Sequence, residues 1–350
     1  MNQDKYIAGL RMHHQHISHH VFNQPVDVVK HMVAMQAQDY AGAKWAVGLR
    51  MQKNTESVIE QAITDGTILR THLMRPTWHF VSREDIRWLI ELTAGRIHAI
   101  NAGMYKKFEL DTAIFNKSND VFVKAMQGGN QLTRAELTDA LNGAGIPTDD
   151  LRFTLLLMHA ELDAVICSGG RQGKQFTYAL LDERAPNASG INRNEALARL
   201  AYGYFNSRGP ATVRDLAYWS GLTVADAQSG LEQVKHQFSH KTIDGITYWM
   251  PDYEPEPTKS KAYLLPAYDE FAIAYQNRDH IVLPKYREQA RYVVFDPVIV
   301  IDNQVAGNWK RTIKTNHVEL SFNLFGKLNK GQTKAVDIAA NNYKKFLELY

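Results

Sequence analysis

The sequence predicts an α+β chain in which units of two helices and a hairpin repeat, followed by a β-rich, barrel-like domain closed by a helix. Three observations predict it. A recurring order of capped helix, second capped helix and hairpin runs along most of the chain. A length of 350 residues with 45% hydrophobic content is enough for more than one compact core. An acidic, proline-containing stretch at 252–258 reads as a linker, after which the texture changes. Collagen-like, low-complexity and disordered classes are excluded by the same composition.

The elements follow from local signals. In the first hundred residues, apolar periodicity and turn residues predict helices at 25–36, 42–52 and 55–65, strands near 68–71 and 77–81, and a connecting helix over 82–101. The middle of the chain is clearer. Thr133-Arg134-Ala135-Glu136 is a capping box, whose hydroxyl and carboxylate satisfy free amides of the first helical turn; that helix stops near Gly143-Ala144-Gly145. A new start at Thr148-Asp149-Asp150 opens a mostly buried helix over 151–162, running into a strand-like segment at 164–167. Gly169-Gly170-Arg171-Gln172-Gly173 turns the chain, and 175–180 returns as the paired strand. After a connecting helix over 192–206 the grammar recurs. Thr212-Val213-Arg214-Asp215 and Thr223-Val224-Ala225-Asp226 each start a helix, and strands at 236–240 and 245–250 pair about Asp244-Gly245.

This is the order of a winged helix-turn-helix unit, and three units of about 80 residues account for the chain up to Pro251. The expected divisions are 1–105, 106–188, 189–257 and 258–350. In the last, 292–295, 297–301 and 317–322 are β-branched or alternating runs, and a terminal helix covers 332–349.

A net charge of +3 is too mild to announce a nucleic-acid partner. The excess is local. Lys310, Arg311, Lys314, Lys327, Lys330, Lys334, Lys344 and Lys345 stand against only Glu319 and Asp337 in that stretch. A solvated basic face accounts for this charge as well as phosphate neutralisation does; winged helices tilt the reading towards DNA, because they commonly place a helix in the major groove. The lone cysteine, Cys167, excludes an internal disulfide and a Cys-based zinc site. Absence of an apolar leader core and of any run of roughly 18 apolar residues predicts a soluble, cytoplasmic protein.

Four clusters invite a chemical reading. His13, His14, His16, His19 and His20 put His16 and His20 on one helical face, yet no third ligand follows at a diagnostic spacing, so a solvent-facing, pH-sensitive helix is expected and no metal. Gly169-Gly170-Arg171-Gln172-Gly173-Lys174 lacks the GKS/T ending and following helix of a phosphate loop and reads as a wing turn. Met35-Gln36-Ala37-Gln38-Asp39-Tyr40 carries two glutamines that point about 200° apart on a helix but converge if the helix ends and the backbone becomes extended. They are caps of a helix end or a functional pair. The segment 69–81 sets Arg70, His72, Arg75 and His79 across the first hairpin, where fold stabilisation explains them as well as strand contact does.

Several phrases together resemble one bacterial family. They are Met35-Gln36-Ala37-Gln38-Asp39-Tyr40-Ala41-Gly42-Ala43-Lys44-Trp45-Ala46, Arg70-Thr71-His72-Leu73-Met74-Arg75-Pro76-Thr77-Trp78-His79-Phe80, Gly209-Pro210-Ala211-Thr212-Val213-Arg214-Asp215-Leu216, Leu264-Leu265-Pro266-Ala267-Tyr268-Asp269-Glu270-Phe271 and Gly307-Asn308-Trp309-Lys310-Arg311. In this order they resemble the winged-helix DNA-binding family that includes the AlkZ-like alkylpurine DNA glycosylases. The resemblance implies tandem winged helices and a barrel-like domain curved around DNA. It also implies a catalytic Gln-x-Gln, which falls here on Gln36 and Gln38.

Glutamine cannot protonate a leaving base, the usual task of a general acid. A purine alkylated at N7 already carries positive charge and leaves as a neutral species, so two amides need only position water and stabilise an oxocarbenium-like sugar. The expected function is hydrolysis of the N-glycosidic bond of N7-alkylated purines, bulky adducts and crosslinks included. The expected partner is double-stranded DNA, bound by a monomer associated with the nucleoid, without cofactor or metal. Arg70, Arg75 and His79 are candidates to hold the adjacent strand, and Lys310, Arg311 and Lys314 to hold phosphates. Trp78 and Trp309 read as packing residues. A non-enzymatic regulator and a protein scaffold are the alternatives that winged helices alone would equally support.

Overall fold

A computed structural model describes residues 3–253 and 261–348 of the chain. The expected linker at 252–258 lies largely outside the described residues. The first helix, α1 (Gln3–His14), is followed by α2 (Pro25–Met32), β1 (Ala34–Gln36), α3 (Tyr40–Gly48), α4 (Glu56–Thr64), β2 (Ile68–Leu73), β3 (Thr77–Ser82) and the long α5 (Ile86–Lys107). Next come α6 (Thr112–Met126), β4 (Leu132–Thr133), α7 (Arg134–Gly143), α8 (Arg152–Leu162), β5 (Ile166–Ser168), β6 (Thr177–Leu180) and the short α9 (Leu181–Arg184). Then α10 (Arg193–Arg208), α11 (Val213–Ser220), α12 (Val224–Val234), β7 (Ser239–Ile243) and β8 (Ile246–Met250) lead to β9 (Ala262–Leu265), α13 (Glu270–Ile273), β10 (Val298–Ile301), β11 (Gln304–Ile313), β12 (Val318–Leu324) and α14 (Lys330–Phe346).

Local chemistry explains many boundaries. Both capping boxes form: the Thr133 and Thr212 hydroxyls accept from the amides of Glu136 and Asp215, whose carboxylates accept in return from the cap amides. Asp244 and Gly245 both adopt positive φ (49° and 77°), as a two-residue hairpin turn between β7 and β8 requires. Thr148 does not start the next helix. Its hydroxyl donates to Asn142, Asp150 takes a positive φ, and α8 begins at Arg152 without a side-chain cap.

The expected helix over 25–36 is cut short. Val33 closes α2 at φ 62°, and the chain becomes extended as β1, which pairs antiparallel with β3 in a sheet ordered β1-β3-β2. Residues 292–295 form turns rather than a strand, and β9, unforeseen, takes a place in the last sheet. That sheet is ordered β12-β11-β10-β9 and is open, so the barrel-like expectation is corrected: β12 and β9 are edges that do not meet.

Hydrophobic packing crosses the divisions drawn from sequence. One core joins α2, α3 and α4 to the C-terminal sheet and α14, with Trp45 against Tyr343 and Phe346. A second joins one face of β2 and β3 to α5, α10, α11 and α12, and a third lies among α6, α7 and α8. Residue 105 falls inside α5. Trp309 is buried and donates its indole N–H to the Leu265 carbonyl, a packing role as expected.

Candidate active site

Gln36 ends β1 and Gln38 stands in the bend before α3, so the pair occupies a strand-to-helix junction. Ala37 between them is buried, and both of its backbone groups are engaged. Its N–H donates to the Trp78 carbonyl at 2.7 Å, continuing the pairing with β3, and its carbonyl accepts from Arg70 Nε and Nη2 at 3.1 Å each. Alternation along extended backbone turns Met35 and Ala37 into the core and leaves Gln36 half-buried and Gln38 exposed on the other side. Among the described residues neither glutamine side chain caps a helix. The cap of α3 is Asp39, whose Oδ1 accepts from the Gly42 N–H at 3.1 Å.

The junction is held from below by a buried ionic node that the sequence reading missed. Glu270 Oε1 accepts the Gln36 backbone N–H at 2.9 Å, while Oε2 accepts from Arg208 Nη2 at 2.8 Å, Arg208 Nε at 3.1 Å and Trp219 Nε1 at 2.9 Å. Arg208 also donates to the carbonyls of Met32 and Ala34, gripping both ends of the α2-to-β1 corner. Arg208 is 0% exposed and Glu270 1%. Next to Glu270, Asp269 pairs in bidentate fashion with Arg50 at 2.9 Å. The available signal was two adjacent acids beside an apolar run, since carboxylates buried there demand partners.

The placement of the expected strand-holding residues requires correction. Arg70 is 8% exposed, lies 4.1 Å over the Trp78 ring and spends its donors on Ala37. Its guanidinium is bound into the glutamine junction and largely buried. His79 is 0% exposed and its ring N–H donates to the Thr77 carbonyl; burial, helped by the nearby Arg75 charge, pushes its pKa down to about 3 and keeps it neutral. A buried neutral ring makes no phosphate contact. In register it sits beside Gln36 on one side and Thr71 on the other, and both His79 Nε2 and Thr71 Oγ1 are buried without hydrogen-bond partners. Arg75 stays at the surface end of the β2–β3 turn, near the Tyr218 ring.

Of the C-terminal basic residues, Arg311 contacts the junction. Lys310 is exposed on β11 and Lys314 is exposed just after it. Arg311 turns inward: its Nη1 donates to Tyr343 Oη at 2.6 Å and its Nη2 lies 3.7 Å from Asp39 Oδ2. The two carboxylates adjoining the glutamines are therefore both engaged, Asp39 as cap and ion partner and Glu270 in the buried node. Among the described residues the Gln36 and Gln38 amides make no side-chain hydrogen bond, and the buried His79 Nε2 beside Gln36 has none either.

The histidine cluster is built differently from expectation. Helix α1 ends at His14 and His16 takes φ 55°, so His16 and His20 share no helical face. The rings of His14, His16, His20 and His31 hydrogen-bond to the carbonyls of Gly209, His19, Ile17 and His14. Burial lowers the pKa of each, that of His31 to about 3, so a solvent-facing titrating helix is not what forms. The segment 169–175 is a turn between β5 and β6, and Cys167 is fully buried, its thiol pushed up to about 12 by burial.

Comparison with known proteins bears on this arrangement. The sequence matches the family described as DNA glycosylase AlkZ-like over residues 29–346. It is similar to an interstrand DNA cross-link repair glycosylase of Streptomyces sahachiroi, 22% identical over 335 residues and covering 87% of each protein. The fold resembles the solved structure of the Streptomyces sahachiroi DNA glycosylase AlkZ with a TM-score of 0.76 at 19% identity, covering 99% of this chain and 96% of that one. With the family match extending over nearly the whole chain, the protein belongs to the AlkZ-like DNA glycosylase family.

Proposed function

We propose that the protein is a monofunctional glycosylase that hydrolyses the N-glycosidic bond of N7-alkylated purines in double-stranded DNA, with Gln36 and Gln38 as its catalytic pair. The observation that carries this reading is the state of the junction: two amides without capping duties on a backbone pinned at Gln36 N, Ala37 N and Ala37 O. In the reaction, water attacks C1′ as the C1′–N9 bond breaks. The bonding electrons neutralise the cationic base, and the water proton passes to solvent. The amide oxygens orient the water and stabilise positive charge on the sugar. Because the adjoining carboxylates Asp39 and Glu270 are engaged, neither is free to protonate the leaving base, which favours cationic lesions.

Lys310 and Lys314 are the phosphate contacts in this reading, with Arg75 on the opposite hairpin. The relative that repairs interstrand crosslinks supports extension to bulky lesions. Among the described residues no helix is long and apolar enough to cross a membrane. The test is release of abasic sites from duplex DNA containing N7-methylguanine. Wild-type protein is expected to produce alkali-labile sites and the Gln36→Ala/Gln38→Ala variant to produce none above background. Equal yields from the two across several alkyl lesions would end the assignment.

A further inference from the structure

Among the described residues, one cluster of side chains outside the glutamine junction could hold a metal ion. His98 comes from α5, His159 from the last turn of α8, and Asp163 follows His159 at i+4, at the C-terminal cap of that helix. His98 Nε2 lies 3.3 Å from Asp163 Oδ1 and His159 Nδ1 lies 3.0 Å from Oδ2, and the ligand atoms are all within 4.8 Å of one another. A tetrahedral zinc ion with bonds of about 2.0–2.2 Å holds its donors roughly 3.3–3.5 Å apart. The two His–Asp distances, which run to different oxygens of the carboxylate, lie near that spacing.

Two features separate the cluster from an ordinary ion-pair network. Among the described residues His159 Nδ1 is sealed from solvent with no well-directed hydrogen-bond partner, the Asp163 carboxylate lying 3.0 Å away. From α6, Asn119 Oδ1 is also buried without a partner, while its Nδ2 is 3.4 Å from Asp163 Oδ2. Unpaired buried groups are costly, and a cation satisfies a nitrogen lone pair and a carbonyl oxygen together. The supporting contacts are those of a ligand shell. His98 Nδ1 is 3.1 Å from Tyr105 Oη, which can accept the ring proton and so leave Nε2 for a metal, and the His159 ring is stacked on Phe115 at 3.5 Å between centroids.

We propose that His98, His159 and Asp163 bind a divalent transition-metal ion of the zinc class, with Asn119 Oδ1 or water completing the coordination. Imidazole nitrogens with one carboxylate suit zinc, whereas calcium and magnesium prefer all-oxygen sites. Such an ion would tie α5, α6 and α8 together at the surface of the third core. The ligands are spread over two helices, so no short spacing in the sequence announces them.

The test is calorimetric titration of full-length, EDTA-treated protein with Zn²⁺, with visible absorption of Co²⁺ as a second readout. One equivalent is expected to bind. His98→Ala and His159→Ala should each weaken binding by about 100-fold or more, and Tyr105→Phe by about 10-fold, by the range seen for supporting partners. His16→Ala/His20→Ala should leave the isotherm unchanged, and circular dichroism of metal-free variants controls for folding. Absence of saturable binding at submillimolar Zn²⁺, or binding untouched by the ligand variants, overturns the proposal. If Asp163→Asn lowers the melting temperature equally with and without Zn²⁺, the cluster is an ion-pair network and the proposal fails.

Discussion

Glu270→Gln removes one negative charge with almost no change in volume, and its consequence can be worked from the four hydrogen bonds that the carboxylate accepts. With the new amide NH₂ turned towards Arg208 and Trp219, donors face donors, and a guanidinium at 0% exposure loses its counter-charge. Breaking a buried pair in this way costs about 3–5 kcal/mol. With the amide turned the other way, its NH₂ meets the Gln36 N–H, and an orphaned buried amide costs about 1–3 kcal/mol. The side chain adopts the less costly orientation, so the expected loss is at least about 1–3 kcal/mol of unfolding free energy.

The second orientation releases the Gln36 N–H, and the first repels the Arg208 that holds the Met32 and Ala34 carbonyls, so each loosens the strand that carries Gln36; a displacement of about 1 Å at a reacting group costs about 100-fold in rate. Chemical denaturation measures the first effect. Single-turnover base release from N7-methylguanine duplex, at a temperature where circular dichroism shows the variant folded, measures the second. A fall of at least about 10-fold in rate is expected, conservatively within that range. A stability loss below about 1 kcal/mol combined with an unchanged single-turnover rate would refute the coupling of this node to the glutamine junction, being smaller than the cost of one orphaned donor.

Three further outcomes follow from burial and charge. Lys310→Ala and Lys314→Ala should each lower the slope of log affinity against log salt by about 1 while leaving thermal stability unchanged, as removal of a phosphate contact does. Arg70→Met should do the reverse, lowering stability by about 2–3 kcal/mol through loss of charged hydrogen bonds to Ala37, with the salt slope intact. Lowering the pH should destabilise the fold through His79. Its folded pKa of about 3 lies below the ordinary 6.5, so the unfolded chain binds the proton first; stability is fully present above pH 6.5 and declines towards pH 3. Between pH 6.5 and 5 this one group contributes a loss on the order of 2 kcal/mol, and His79→Gln should flatten that segment of the stability profile measured by urea denaturation.

Much of the secondary structure was legible because its causes are local. The Thr133 and Thr212 capping boxes, the Asp244-Gly245 turn and the glycine turn after Cys167 each depend on residues within a few positions of one another. Tyr292-Val293-Val294-Phe295 shows the limit of that logic. Its β-branched residues suit a strand, but no neighbouring strand pairs with them, and tertiary context made the segment a series of turns. The early end of α2 at Val33 is a related case: the periodicity continues towards Gln36, while pairing with β3 and the Arg208 bonds to Met32 and Ala34 draw the chain into a strand.

By itself the sequence determined the α+β class, the order of helices and hairpins, and the glutamine pair as the place to look. Which polar residues are tools and which are scaffolding was decided only by the tertiary structure. Arg70 and Lys310 are both cations in motif segments, yet one is buried on the Ala37 carbonyl and the other is exposed on β11. Glu270 lies far along the chain from Gln36, and Arg311 comparably far from Asp39; each pair meets through the packing of the C-terminal sheet on the first helices. A residue's type states what it can donate or accept. Burial and long-range partners determine whether that capacity is spent inside the fold or left for a substrate.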